Sequence, residues 1–358
     1  MTNEQDNSII ALPVQIDGTV SDCGASSTPT DGSGSSGMLA TNETAAPDAL
    51  FSQSALTTAG NHLFAINAGS NSVTMFAIDK NDPTNLTMVG RPVPVPGEFP
   101  NTVAASQTNK QVCVGMTGAQ AGISCASFSS QGIGAMDTLR VFDIGQSTPP
   151  VGPENTVSQV FYSGDGSTLF ATVKGNPAVN KTGFLAAFPV QGGIVSQQGV
   201  QSSPDGTAVL FGSTPIPGSS NIFVTDASFG AAVLSIDKAG ASTVAGKGAV
   251  DGQAATCWAT ISPATNTAFV TDVGKNRLVE VSTTSAMVMG QIDLSANGDP
   301  GLIDLKAAGK FIYALSPGNG TTQAAMTVVN AVSKQQVQHL QLDMLGARKT
   351  AQGVAILL

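Results

Sequence analysis

Asn61-His-Leu-Phe-Ala-Ile-Asn67, a loop of Ala-Gly-Ser-Asn, then Ser72-Val-Thr-Met-Phe-Ala-Ile-Asp79 is the stretch that decides the fold. Two short β-branched and aromatic runs flank a small polar loop, which is the pattern of paired strands rather than of a helix. The same pattern returns at Asn221-Ile-Phe-Val-Thr-Asp226 with Ala231-Ala-Val-Leu-Ser-Ile-Asp237, and at Thr267-Ala-Phe-Val-Thr-Asp272 with Arg277-Leu-Val-Glu-Val281. It is also legible at Ser167–Val173 with Phe184–Phe188, and at Lys310–Leu315 with Met326–Asn330. Pro204-Asp-Gly206, Gly164-Asp-Gly-Ser167 and Pro263-Ala-Thr-Asn266 stand before second strands and carry hairpin-turn chemistry.

A unit of this kind, repeated roughly every 50 residues, is the signature of radial or solenoid architectures. The units fall at 49–97, 98–155, 156–200, 201–251, 252–297 and 298–342. The remainders are Gly353-Val-Ala-Ile-Leu-Leu358 at one end, and Ser8-Ile-Ile-Ala-Leu12 with Gly18-Thr-Val-Ser21 at the other. Joined, they predict a seventh blade, and hence an all-β seven-bladed β-propeller forming one domain over 1–358. Such a ring leaves no long open sheet edge. In this scheme Met1 lies at the end of a strand that should begin several residues earlier, so it is not expected to be the translation start. The Ser/Thr/Gly-rich stretch 24–48 is expected to cross one mouth of the ring as a long loop.

Composition narrows the function classes. Of 358 residues, Lys+Arg number 15 against 24 Asp+Glu, a net charge of −9, and charged residues make up 11%. That is under half the usual share of about 25%. With 41% hydrophobic residues the chain can bury a core. No basic stripe exists to replace counterions along nucleic acid. The longest apolar runs, Phe184–Val190 and Val354–Leu358, are too short to span a bilayer. Met1 is followed by Thr-Asn-Glu-Gln-Asp, with neither a basic nor an apolar leader segment.

Cys113 and Cys125 flank Thr-Gly-Ala-Gln-Ala-Gly on the two arms of a predicted hairpin, where a cross-strand disulfide would close. Cys23 and Cys257 are either a second pair or two buried thiols. Sequons stand at Asn42, Asn85, Asn180 and Asn319, although a chain so rich in Ser and Thr yields about as many by chance. Low lysine content, acidity and a hairpin disulfide point toward an oxidising compartment.

Seven stretches carry a family resemblance: Asn67–Phe76, Gly97-Glu-Phe-Pro100, Val173-Lys-Gly-Asn-Pro177, Thr225–Gly230, Cys257–Thr265, Phe269–Val273 and Tyr313–Asn319. In that order they resemble the fungal 3-carboxymuconate cyclase-like, lactonase-type propellers, a family that includes secreted ascomycete surface glycoproteins. The resemblance covers the chain from Ser8 onward. It implies a seven-bladed ring, secretion, a glycosylated surface, and a cyclase or lactone-hydrolase activity.

Loops joining second to third strands, and those entering first strands, gather at one mouth. There the sequence places Asn67, Ser70, Glu98, Phe99, Asn101, Lys174, Asn176, Asp226, Phe229, Trp258, Asp272, Lys275, Asn276 and Asn319, a polar cleft suited to a sugar, lactone or organic acid. A lactonising enzyme needs a cationic clamp and a tuned acid or base; Glu98 as base and Lys174 as clamp are the candidates. His62 is expected at the opposite mouth and His339 in an outer strand, and Arg277 heads a strand, so the His-and-Arg-rich site of such an enzyme is missing. Asp226 and Asp272 occupy equivalent loop positions in neighbouring blades, where they either bridge a Ca²⁺ ion or, as is expected, each cap the N–H groups of their own loop; no metal or cofactor is expected. Trp258 is either a stacking platform or a packing wedge. Gly32-Ser-Gly-Ser-Ser-Gly37 reads as linker rather than a dinucleotide fingerprint.

Three functions follow as expectations. The first is a secreted, glycosylated, monomeric propeller that binds a small organic acid, lactone, glycan or cell-wall or host-surface partner, with catalysis reduced or lost. The second is an active lactonase or muconate-type cycloisomerase, an intramolecular lyase using Glu98 and Lys174. The third is a purely structural wall protein.

Overall fold

The computed structural model describes residues 1–357. Short apolar strands dominate, and only single-turn 3₁₀ segments interrupt them. Six sheets follow one another along the chain, each a meander of four strands. Their first strands are Leu56–Ala59, Pro100–Ser106, Val157–Tyr162, Leu210–Pro215, Thr256–Ile261 and Ile303–Ala308. Each packs against the first strand of the next sheet, so the six are arranged about a common axis as the blades of a β-propeller. The first three sheets each carry one further short strand, at Val93–Pro94, Arg140–Val141 and Val200–Ser202.

Burial explains the sequence pattern. The second strands are enclosed on both faces between neighbouring blades: Ile222–Asp226 and Ala268–Asp272 are buried at every position. This is why they read as near-continuous apolar runs instead of alternating ones. Outer strands such as Gln335–Gln341 keep no fully buried residue and carry the polar composition. Apolar layers lie between successive blades; Phe223 and Val233 of the fourth pack with Val270 and Val279 of the fifth. Turn chemistry is visible at Asp165, whose Oδ1 accepts from the Ser167 N–H at 3.0 Å and from the Ser163 and Ser167 hydroxyls. Gly166, at φ +72°, takes the left-handed position beside it.

Cys113 and Cys125 stand directly opposite in the second blade and are bridged. Cys23 and Cys257 are unpaired. Cys257 is buried, but Cys23 is exposed, so neither the second pair nor the picture of two buried thiols holds.

Six four-stranded sheets are laddered as blades among the described residues, and the position expected for a seventh falls to the terminal segments. The terminal segments form only a two-stranded sheet, β1 (Ser8–Ala11) with β2 (Ser26–Pro29). Gly18–Ser21 was expected to be the partner strand, but Asp17 Oδ1 accepts from the Thr19 N–H at 3.0 Å and folds it into a turn. Only a Val14–Val20 bridge remains there. Strand β2 therefore comes out of the stretch 24–48, which was expected to be all loop. The C-terminal stretch is extended but unladdered, because side chains take its backbone groups: Val354 N–H donates to Asp304 Oδ2 at 3.2 Å, and Thr58 Oγ1 donates to Ile356 O at 3.3 Å. Both ends of the chain nevertheless meet, with Met1 and Gln352 exchanging two hydrogen bonds of 2.9 and 3.0 Å.

Candidate functional site: a channel stoppered at one end

The segment 48–54, just ahead of the first blade, fills the mouth to which sequence reasoning assigned the site. Leu50, Phe51 and Gln53 are buried, and the backbone takes left-handed φ values at Phe51 (+55°) and Ser54 (+67°). Hydrogen bonds tie this strap to four blades. Gln53 N–H donates to Ser158 O at 2.9 Å, and Thr102 Oγ1 donates to Gln53 O at 2.8 Å. The Gln53 amide makes a reciprocal pair with Ala259, both at 2.9 Å. Trp258 Nε1 donates to Ser52 O at 2.9 Å, and Ser54 N–H donates to Asp304 Oδ2 at 3.1 Å.

The two candidate catalytic groups are engaged separately. Lys174 is 2% exposed; its ammonium donates to Phe51 O and lies 4.1 Å from the centre of the Phe211 ring. Glu98 is half-buried and accepts from the Thr148 hydroxyl. No hydrogen bond or ion pair joins Glu98 to Lys174.

Most of the other mouth residues are also occupied. Asn101 Nδ2 donates to Leu50 O and Val157 O at 3.2 and 2.7 Å. Asn67, fully buried, accepts from Asn7 Nδ2 and Thr30 Oγ1 at 2.9 and 2.7 Å. Asp226 accepts from the backbone N–H groups of Ala208, Val209 and Ser228. Asp272 accepts from Ala254 and Ala255 through one oxygen and from Arg277 through the other. These carboxylates hold the entrance to their own blade's first strand. Asn276 donates to Leu294 O, and Asn176 caps a 3₁₀ turn. Trp258 is enclosed, edge-on to Phe211 with centroids 4.8 Å apart, and Phe99 is equally buried. Phe229, half-buried, lies 3.9 Å under the Lys247 ammonium. Lys275, Asn319 and the other three sequon asparagines are exposed.

The strap's own Asp48, with Lys174 and Cys257 beneath it, forms a desolvated cluster. Burial lowers the Lys174 ammonium to about 8 despite the opposing charge of Asp48. Burial likewise raises Asp48 to about 6, against the pull of Lys174, and pushes the Cys257 thiol up. The folded state thus holds the Asp48 proton more tightly than the unfolded chain, and this group's contribution falls as pH rises from about 4 to about 6. For Lys174 the folded state releases its proton early, so the penalty of the charged form is relieved from about pH 8 to 10.5. Asp48→Asn, which keeps an acceptor for the Phe51 N–H, is expected to reduce the loss of stability between pH 4.5 and 6.5. Urea midpoints of both proteins at the two pH values check this; parallel declines would contradict it.

Sequence reasoning missed the other end of the channel. A cavity of about 290 Å³ opens there, lined by first-strand residues including Thr57, Gln159, Tyr162, Thr214 and Lys306, with the strap's Gln53 and Ser54 also contributing. Ser213 N–H donates to Gln159 Oε1 at 2.6 Å and Thr260 Oγ1 accepts from Ala307 N–H at 3.1 Å. Lys306, half-buried, forms no ion pair among the described residues. The signal was available: the first strands Val157–Tyr162, Leu210–Pro215, Thr256–Ile261 and Ile303–Ala308 each carry polar residues, among them Gln159, Ser213, Thr260 and Lys306. No group of three or more metal-ligating side chains occurs among the described residues.

No family model matches the sequence, and no curated protein matches it. Solved structures do. One is a putative 6-phosphogluconolactonase from Bacteroides uniformis, 15% identical with a TM-score of 0.57, covering 77% of this chain and 80% of that one. Another is a periplasmic gluconolactonase from Pseudomonas aeruginosa, 14% identical with a TM-score of 0.55, covering 77% and 81%. A chain of a nidogen/laminin complex is 13% identical with a TM-score of 0.53, covering 80% and 95%. At these identities the shared property is the fold, a β-propeller, which serves lactone chemistry in the first two by name and protein association in the third.

Proposed function

We propose that this chain is a secreted, glycosylated propeller that binds a small organic acid or sugar-derived lactone at the Lys306 end of its channel, with catalysis reduced or lost. The strap carries this reading: with residues 48–54 in the mouth, Lys174 donates to Phe51 rather than to a substrate, and Glu98 stands apart from it. A base and a clamp must converge on one reacting atom. The opposite opening offers hydroxyls, amides and one unpaired ammonium, a set that recognises carboxylate and hydroxyl groups.

Secretion is supported by the Cys113–Cys125 bridge, and glycosylation by the exposure of Asn42, Asn85, Asn180 and Asn319. We read the β1–β2 pair and the C-terminal stretch together as the seventh position of the ring, making 1–358 one monomeric domain of the carboxymuconate cyclase-like type. A cell-wall or host-surface partner would be reached through this bound ligand class.

The second reading, an active lactonase or cycloisomerase, is favoured by the names of two structural neighbours. Titration calorimetry with gluconate, gluconolactone and carboxymuconolactone, alongside turnover assays from pH 5 to 9, separates the two. Binding without turnover is expected, with Lys306→Met weakening affinity at least tenfold and Glu98→Gln leaving it unchanged. Turnover that is lost in Glu98→Gln would overturn the binding reading in favour of the enzyme.

A further inference from the structure

A cavity of about 590 Å³ lies between the first and sixth blades, beside the terminal segments. Leu63, Ile78 and Leu86 line it from one blade, and Leu315, Met326 and Leu342 from the other. Its lining holds no lysine or arginine, and its one carboxylate, Asp82, already accepts from the Thr84 N–H at 3.1 Å.

Two backbone edges border this space. Strand β1 pairs with β2 on one side, and its Ile9–Ala11 backbone has no partner on the other among the described residues. In the C-terminal stretch, Val354 N–H and Ile356 O turn to Asp304 and Thr58. The alternate residues Ala355 and Leu357 therefore present their backbone groups to the opposite side, where they bond nothing among the described residues. At the mouth end the position between the edges is already taken. Met1 exchanges two bonds with Gln352, an antiparallel arrangement, and Thr2 N–H donates to Ser8 O at 2.8 Å.

We propose that this space is a slot for one added β-strand, an uncharged, mainly aliphatic extended peptide of about five residues lying antiparallel to the 353–357 stretch. Water finds few partners on such walls. A hydrocarbon ligand would fill the volume but leave both backbone edges unpaired, whereas a strand fills the volume and pairs the edges. Both faces of the inserted strand would meet leucine, isoleucine and methionine, the same environment that makes Leu63–Ile66 of the first blade continuously apolar.

The test uses the full chain and three probes: acetyl-Thr-Ala-Val-Val-Ala-Thr-amide, the same peptide with proline for the second valine, and 1-decanol. Amide hydrogen exchange is followed at Ile9–Leu12 and Ala355–Leu357, with the thiol reactivity of Cys23, which lines the cavity rim, as a second readout. The valine peptide is expected to slow exchange in both stretches at least tenfold and to slow Cys23 modification. The proline peptide, which lacks a ladder N–H, is expected to do neither. Equal protection by the proline peptide or by decanol would overturn the strand slot in favour of a nonspecific apolar pocket. No protection by the valine peptide at millimolar concentration would also overturn it.

Discussion

Asp304→Ala is expected to lower stability by about 3 kcal/mol, more than any other single carboxylate deletion in the protein. Asp304 is 1% exposed, and its carboxylate accepts from three backbone N–H groups: Ser54 at 3.1 Å, Val354 at 3.2 Å and Leu305 at 2.8 Å. It thereby joins the sixth blade to the strap and to the C-terminal stretch, where the ring has no laddered sheet to close it. Each buried donor left without an acceptor costs about 1–3 kcal/mol. Alanine also sits less comfortably at the φ of +52° found here, a region that aspartate and asparagine tolerate better. An opposing effect holds the net figure down: burial raises the Asp304 carboxyl above its ordinary range, so removing it also removes a desolvation penalty. Asp304→Asn keeps one acceptor oxygen and is expected to lose about half as much. Urea unfolding of the three proteins measures this; a loss below about 1 kcal/mol for alanine would mean the termini are held by something else.

Trp258→Ala is the second large effect, an expected loss of about 4 kcal/mol. The indole is 1% exposed, packs edge-on against Phe211, and donates from Nε1 to Ser52 O of the strap. Truncation leaves a cavity under the strap and an unpaired carbonyl. Trp258→Phe keeps most of the packing and is expected to lose about 1–2 kcal/mol. Because Trp258 is the only tryptophan, unfolding of the variants is followed by circular dichroism. Equal stability of all three would show that the indole is not enclosed as described, and would return it to the role of an exposed stacking platform.

The blades were legible because each is a local meander: strand, turn and strand are adjacent in sequence, and the apolar runs mark burial between sheets. The observed sheets follow the expected units, from Leu56–Pro94 for the first to Ile303–Gln341 for the sixth, except that the third runs on to Ser202, two residues past its unit. Asp226 and Asp272 could be read as loop caps, since an Asp at the end of a strand has a backbone N–H within reach. The strap was not legible. Asp48-Ala-Leu-Phe-Ser-Gln-Ser54 has no period and no turn signal, and its partners Asn101, Ser158, Ala259 and Asp304 lie 49 to 250 residues away by the separations of its hydrogen bonds. Asn101 was thus assigned to a ligand when the strap takes its hydrogen bonds, and Asn67 when Asn7 and Thr30 of the N-terminal segment take its own. The partner of the N-terminal strand was misplaced for a similar reason, being Ser26–Pro29 rather than Gly18–Ser21. Gly18–Ser21 alternates like a strand, yet Asp17 provides an acceptor that favours a turn.

Native-state lysine labelling tests the stoppered mouth most directly. Lys174 is 2% exposed, so a reagent reaches it only if the mouth opens. The protein is treated with an amine-reactive reagent at pH 8.5 and the modified sites are mapped by mass spectrometry. With the strap in place, Lys174 remains unmodified while Lys275 and Lys306 react, and it becomes reactive only on unfolding. Modification of native Lys174 as fast as exposed Lys275 would show the mouth open, and would restore the site that the strap is held to have closed.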